Sequence, residues 1–203
     1  MNKPIDLYAM AYQDRSDRVR WLLEEMEVPY RNHFLDKKKG GMDSANYRLI
    51  NPMGRVPTIV DGDLILHESA AICLYLADRY ALGKLAPHYE NIHLRAEYVK
   101  WMVWSTASLE CVIARMFTHV NTPEETEVTH KFVKEQCEIM KTILLPVLSK
   151  QDYILSSGFS AADIMLAAVI PGAHDFLVKP NPEIARYMDR LMNRPGAIKA
   201  KVF

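Results

Sequence analysis

The chain has 203 residues, 49% hydrophobic and 25% charged, with 25 basic against 25 acidic residues and so no net charge. That length suits one large or two small domains, and the balanced charge argues against a nucleic-acid or membrane surface. Three cysteines, Cys73, Cys111 and Cys137, stand far apart with no Cys-x-x-Cys pair. This argues against a disulfide framework, a zinc site or a dithiol redox motif, and it points to a reducing, cytoplasmic setting. The N-terminal MNKPIDLY lacks the apolar run of a signal peptide, and no stretch is expected to span a membrane.

In chain order, Ile5 to Tyr12 reads as a first strand, apolar at the alternate positions Ile5, Leu7 and Ala9. The polar cluster Gln13-Asp14-Arg15-Ser16-Asp17 leads into a helix whose stripe is Val19, Leu22, Leu23 and Met26, with Ser16 or Asp14 as its N-cap. A second strand runs from Val28-Pro29-Tyr30 toward Leu35, and the polar, Gly-containing stretch 37–49 is expected to be loop with a short helix. Pro57 follows Val56 and opens the apolar Pro57-Thr58-Ile59-Val60. Proline is tolerated at the first position of a strand, and an X-Pro bond is the common place for a cis peptide. Asp61-Gly62-Asp63 is a hairpin turn signal. Leu64-Ile65-Leu66 then leads to Glu68-Ser69 at the mouth of a helix through Ile72, Cys73, Leu76 and Tyr80. The free N–H groups and positive dipole end of such a helix suit a carboxylate.

Leu82 to Pro87 breaks the pattern and reads as a linker, beyond which no strand is expected. His93 to Val120 is expected to form one long helix with Leu94, Tyr98, Trp101, Ser105, Leu109, Val112 and Met116 on one face. Thr122, with Pro123 at the first helical position, caps the next, which buries Val133, Cys137, Met140, Leu144 and Val147. Cys111 and Cys137 are both expected to be small core residues. Phe159-Ser160-Ala161-Ala162-Asp163-Ile164 carries a capping box and a hydrophobic staple. The helix that follows is apolar on all sides, as expected at the centre of a bundle. A further helix buries Ile184, Tyr187, Met188 and Leu191, and Pro195 opens a last short one.

The stretch Asn51 to Ser69, NPMGRVPTIVDGDLILHES, resembles the glutathione-contacting segment of the cytosolic glutathione transferase family, NPxGxVPxLxDGxxxLxES, with Ile59 in place of the family's frequent leucine. The string at Phe159 to Asp163 is similar to the folding signature of the family's second domain, so Ser160 and Asp163 are assigned to stability. The resemblance covers essentially the whole chain. It implies an α/β thioredoxin-like N-terminal domain over residues 1–81, a linker at 82–87, and an all-α helical domain over 88–203. It further implies glutathione as co-substrate with no permanently bound cofactor and no metal. Glutathione contacts fall on Gln13, Arg55, Val56, Pro57, Glu68 and Ser69. Val56 would offer its backbone to the cysteinyl part, and Glu68 and Ser69 would hold the γ-glutamyl end. A homodimer acting on a small electrophile, with a role in detoxification, completes the implied picture.

Conjugation asks little of a protein, because the glutathione thiolate is itself the nucleophile. Lowering a thiol pKa by about two units takes roughly 2.7 kcal/mol of preferential binding to the anion, within reach of one charge-assisted hydrogen bond and a helix dipole. The family supplies a Tyr, Ser or Cys at the end of the first strand or in the loop after it; here the usual Ser or Cys position holds Gln13. Tyr12 and Ser16 are the nearby hydroxyls, and either of them, Gln13 or backbone N–H groups can approach the sulfur. Trp104, Ser108 and Cys111, with Met116, are candidates for the electrophile site, while His67 reads as an ordinary strand-end residue. Gln13 also leaves room for a non-catalytic binding or scaffold protein of the same fold, and glutathione-dependent disulfide or peroxide reduction is a further alternative.

Overall fold

A computed structural model describes residues 3–119 and 127–203. The chain divides into two compact units, Met1–Ala86 with Asn193–Phe203, and Pro87–Met192.

The first unit is built on a four-stranded sheet ordered β2-β1-β3-β4. Strand β1 (Ile5–Ala9) pairs in parallel with β2 (Tyr30–Phe34) and antiparallel with β3 (Thr58–Asp61), which pairs antiparallel with β4 (Leu64–His67). Ile5, Leu7 and Ala9 alternate inward and are fully enclosed, as the sequence pattern required. Strand β1 stops at Ala9 rather than reaching Tyr12. Its last antiparallel pair is Tyr8 with Thr58, and the next partner position falls to Pro57, which has no N–H to give. Helix α1 (Ser16–Glu25) and helix α3 (Ser69–Tyr80) pack on each other, with Val19, Leu22, Leu23, Ile72, Cys73 and Leu76 enclosed. Between β2 and β3 lie two short 3-10 turns and helix α2 (Ala45–Ile50). The order β-α-β-α-β-β-α is a thioredoxin-like arrangement.

The N-cap position of α1 is filled by Arg15, which makes no side-chain cap, and Ser16 lies inside the helix. The capping work falls to Asp14, whose Oδ1 accepts from the Ser16 N–H at 2.6 Å.

The second unit is helical. Helix α4 (Ile92–Trp104) runs through a π-helical turn (Ser105–Leu109) into α5 (Glu110–His119), so the expected single helix carries a wider turn in its middle. The expected end of that helix at Val120 and the cap at Thr122 and Pro123 lie outside the described residues. Tyr98, Trp101, Ser105, Leu109 and Val112 are buried, as their spacing implies. Cys111 is exposed rather than core: it sits one position, about 100° of rotation, off the buried stripe. Helix α6 (Glu127–Leu148) buries Val133, Cys137, Met140 and Leu144. Burial pushes the Cys73 thiol up to about 12 and the Cys137 thiol up to about 11, so neither is a nucleophile near neutral pH.

Helix α7 (Ala161–Ala167) is wholly buried and opens on the expected capping box. Asp163 accepts from the Ile154 N–H at 2.8 Å, the Ser160 N–H at 2.8 Å, the Ser160 hydroxyl at 3.0 Å and the Tyr187 hydroxyl at 3.0 Å. The window Ala161–Val178 has a mean hydropathy of 1.5 over 18 residues, but 61% of it is buried inside the structure. It passes from α7 into a 3-10 and then a π turn, which makes it the core of the unit. Helix α8 (Pro182–Met192) adds Ile184, Tyr187, Met188 and Leu191 to that core.

The last helix, α9 (Pro195–Ala200), falls in sequence within the span 88–203 but packs on α1 of the first unit. Arg194 grips Glu25 through Nε and Nη2 at 2.8 Å each. The two-pronged charged contact between residues far apart in sequence draws the segment back onto α1.

Asp163→Ala leaves four buried donor groups without their acceptor, and each such loss costs about 1–3 kcal/mol. Chemical denaturation of the variant is expected to show a loss of at least about 4 kcal/mol in unfolding free energy.

Candidate functional site

The register of the second hairpin sets the site. Thr58 pairs with His67 across β3 and β4. Val56 lies two residues before the first member of this pair and Ser69 two residues after the second, so both stand just beyond the same end of the hairpin. The Val56–Pro57 peptide bond is cis. The loop leading to it is fastened from inside by Asn51. Asn51 Nδ2 donates to the Arg55 carbonyl at 2.9 Å and to Thr58 Oγ1 at 3.0 Å, and its Oδ1 accepts from the Met53 N–H at 3.1 Å. The Tyr47 hydroxyl, 2.9 Å from Thr58 Oγ1, also donates to the Arg55 carbonyl. Gly54 has φ +61, and a Cβ there would lie 2.9 Å from the Met42 carbonyl; only glycine fits both demands.

Beyond the hairpin, Asp61 ties β3 to α3 by accepting from the Tyr75 and Tyr80 hydroxyls at 2.8 and 2.6 Å. Glu68 precedes the helix with φ 73, a left-handed conformation that a non-glycine residue adopts only under constraint. Its side chain is exposed, while Ser69 is buried at the first position of α3. Arg18, itself buried, reaches from α1 to donate to Ser69 Oγ at 3.2 Å.

The loop ahead of α1 is the third component. Gln13 is exposed and has φ 62, with its N–H donating to Asp17 Oδ2 at 2.9 Å. Burial pushes the Asp17 carboxyl up from the usual carboxylate range, against the pull of the Arg20 guanidinium to which it is hydrogen-bonded. Ser16 is 0% exposed, and its hydroxyl has no hydrogen-bond partner among the described residues. Tyr12 is 44% exposed. Among the described residues no group of three His, Cys, Asp or Glu side chains could hold a metal ion.

The family model described as glutathione S-transferase, N-terminal domain, matches residues 3–78, and the C-terminal domain model of the same family matches residues 110–195. Glutathione S-transferase GstB of Escherichia coli is 30% identical over 189 residues, covering 90% of each chain.

The chain belongs to the glutathione S-transferase family.

Two solved transferases carry the same fold along nearly their whole length. A theta class enzyme from Xanthomonas axonopodis pv. citri, solved with glutathione bound, is 29% identical with a TM-score of 0.82, covering 98% of this chain and 97% of its own. The transferase URE2P6 of Phanerochaete chrysosporium, in complex with oxidized glutathione, is 25% identical with a TM-score of 0.84, covering 98% of this chain and 95% of its own.

Of the residues singled out in the sequence, Tyr12, Gln13, Ser16, Arg55, Val56, Pro57, Glu68 and Ser69 all lie in the first unit of this transferase. Trp104 and Ser108 are half-buried and Cys111 is exposed, all on the α4–α5 rod of the second. Cys111 Sγ contacts the Thr106 carbonyl at 3.6 Å, across the π turn. Sequence reasoning missed Arg18. A charged residue in the polar run RSDRVR reads as solvent-facing, and only the fold shows it enclosed between α1 and Ser69.

Arg18→Met removes a charged donor from a buried hydroxyl. A double-mutant cycle with Ser69→Ala is expected to show a coupling of about 1 kcal/mol in unfolding free energy; additive losses would mean the contact carries nothing.

Proposed function

We propose that this transferase binds reduced glutathione between the Val56 backbone and the Glu68–Ser69 helix mouth and promotes attack of its thiolate on a small electrophile. One observation carries the reading: the β3–β4 register sets an extended backbone segment beside the N-terminal end of α3, a twelve-residue helix. An extended peptide can add to the first through main-chain hydrogen bonds. A carboxylate is favoured at the second by free N–H groups and the helix dipole. In the reaction the sulfur gives up its proton to solvent and forms a bond to carbon. The bond from that carbon to its leaving group breaks, and the leaving group departs with the electron pair.

Tyr12 is the group we assign to stabilising the thiolate. Its ring is exposed beside Gln13, whereas the Ser16 hydroxyl is enclosed and out of reach of a ligand arriving from solvent. Arg55 and Gln13, both exposed, are assigned to glutathione contacts, and Trp104, Ser108 and Cys111 to the electrophile. A non-catalytic binding role is the second reading, favoured by Gln13 at the family's usual hydroxyl or thiol position.

The homodimer is also part of the proposal. Ile92, Val99 and Val103 on α4 are 74%, 37% and 52% exposed, and Leu64 and Ile65 on β4 are 37% and 50% exposed; apolar faces of this kind suit a covering partner. A cytoplasmic setting accords with the free cysteines.

Millimolar glutathione is expected to raise the melting temperature, since a ligand of the native state stabilises it as RT ln(1 + [L]/Kd); no shift would reject the site. Titrating the thiolate absorbance of bound glutathione should give a pKa about one unit or more higher in Tyr12→Phe and unchanged in Ser16→Ala. Turnover of an aryl halide separates enzyme from binding module. Sedimentation should give about twice the chain mass of 23.3 kDa.

A further inference from the structure

The C-terminal segment of the first unit ends in an arrangement that the glutathione site does not use. Helix α9 is tied to α1 by Arg194 on Glu25, by Lys199 on Glu24 at 2.6 Å, and by the Phe203 ring set edge-on to Trp21 at 5.7 Å. Trp21 Nε1 donates to the same Glu25 carboxylate at 2.9 Å. A Cβ at Gly196 would stand 2.7 Å from the Glu25 side chain, so the helix lies as near to α1 as a chain without a side chain there allows.

Helix α9 then stops at Lys201, with φ 55 and ψ 50. This left-handed position usually belongs to glycine. The turn is closed by the Lys201 N–H, which donates to the Ile198 carbonyl at 3.1 Å. The Lys201 ammonium lies 5.7 Å from the centre of the Tyr12 ring and makes no hydrogen bond or ion pair among the described residues. Arg20 stands 4.9 Å from the same ring, but its charge is matched by Asp17. Phe34, at the end of β2 and 54% exposed, sets its ring 6.2 Å from Tyr12 at an interplanar angle of 50°. Two exposed aromatic rings, with the Lys201 ammonium over the Tyr12 ring, therefore adjoin the loop that carries Gln13.

We infer that Tyr12, Phe34 and Lys201 form a subsite for an electrophile that combines an aromatic ring with an anionic group, such as an aryl carboxylate. The ring packs on the two aromatic side chains, and the anion meets the Lys201 ammonium. The inference rests on the transferase reading and names the substrate class for it. The reaction balances as before: the glutathione sulfur displaces halide from the ring, the halide leaves with the bonding pair, and the substrate carboxylate is unchanged.

The test uses two reaction products as ligands, the glutathione conjugates of chloronitrobenzoate and of chlorodinitrobenzene, in which a carboxylate of the first takes the place of a nitro group of the second. Calorimetry is expected to show that the wild-type protein prefers the carboxylate conjugate. The preference should fall about three- to fivefold in Lys201→Met, stay in Lys201→Arg, and shrink with added salt. Phe34→Ala should weaken both conjugates and keep the preference. An equal preference in wild type and Lys201→Met, or tighter binding of the dinitrophenyl conjugate by the wild type, overturns the subsite while leaving the transferase reading intact. If neither conjugate nor glutathione binds the folded protein, the transferase reading falls and takes the subsite with it.

Discussion

The antiparallel pairing of β3 with β4 is the constraint on which the rest depends. A strand pair has a side-chain period of two, so a slip of one residue would turn Ile59 out of the core and separate Val56 from the mouth of α3. The register is held at both ends. At the turn, Asp61 collects two tyrosine hydroxyls from α3. At the open end, Asn51 and Tyr47 hold the Arg55 carbonyl and the Thr58 hydroxyl from beneath. The binding proposed for the site draws on backbone groups and a helix end, and these fasteners fix both at one end of the hairpin.

A second layer of polar groups makes α1 a partner in that geometry. Asp14 accepts from an N–H that the helix start leaves open, Asp17 accepts from the Gln13 N–H of the loop ahead, and Arg18 crosses to Ser69. The helix that follows the Tyr12–Gln13 loop is thereby tied to the helix that opens at Ser69. The same α1 holds the C-terminal segment through Glu24 and Glu25. One helix thus positions three parts of the first unit: the loop at Tyr12, the Ser69 hydroxyl and Lys201.

Much of this was legible in the sequence because it is written locally. Alternation at Ile5, Leu7 and Ala9, the Asp61-Gly62 turn, the Ser160–Asp163 capping box and the spaced string from Asn51 to Ser69 each declare themselves within a few residues. What the sequence did not show depends on distance or on backbone detail. Arg194 and Glu25 are 169 positions apart, so no local pattern assigns α9 to the first unit. Arg18 and Asp17 are charged and look like surface until the fold encloses them. The π turn at Ser105–Leu109 is a widening of the backbone with no residue signature. Ser16 looked like a cap and proved to be interior, because Asp14 reaches the helix end first.

The most direct measurement of the central claim is an amide-resolved NMR titration of the folded protein with reduced glutathione. The account predicts that the Val56, Glu68 and Ser69 amides move together along one saturable curve, while those of Ser160 to Asp163 stay still. Shifts confined to the helical unit, or no saturable shift at all, would contradict it.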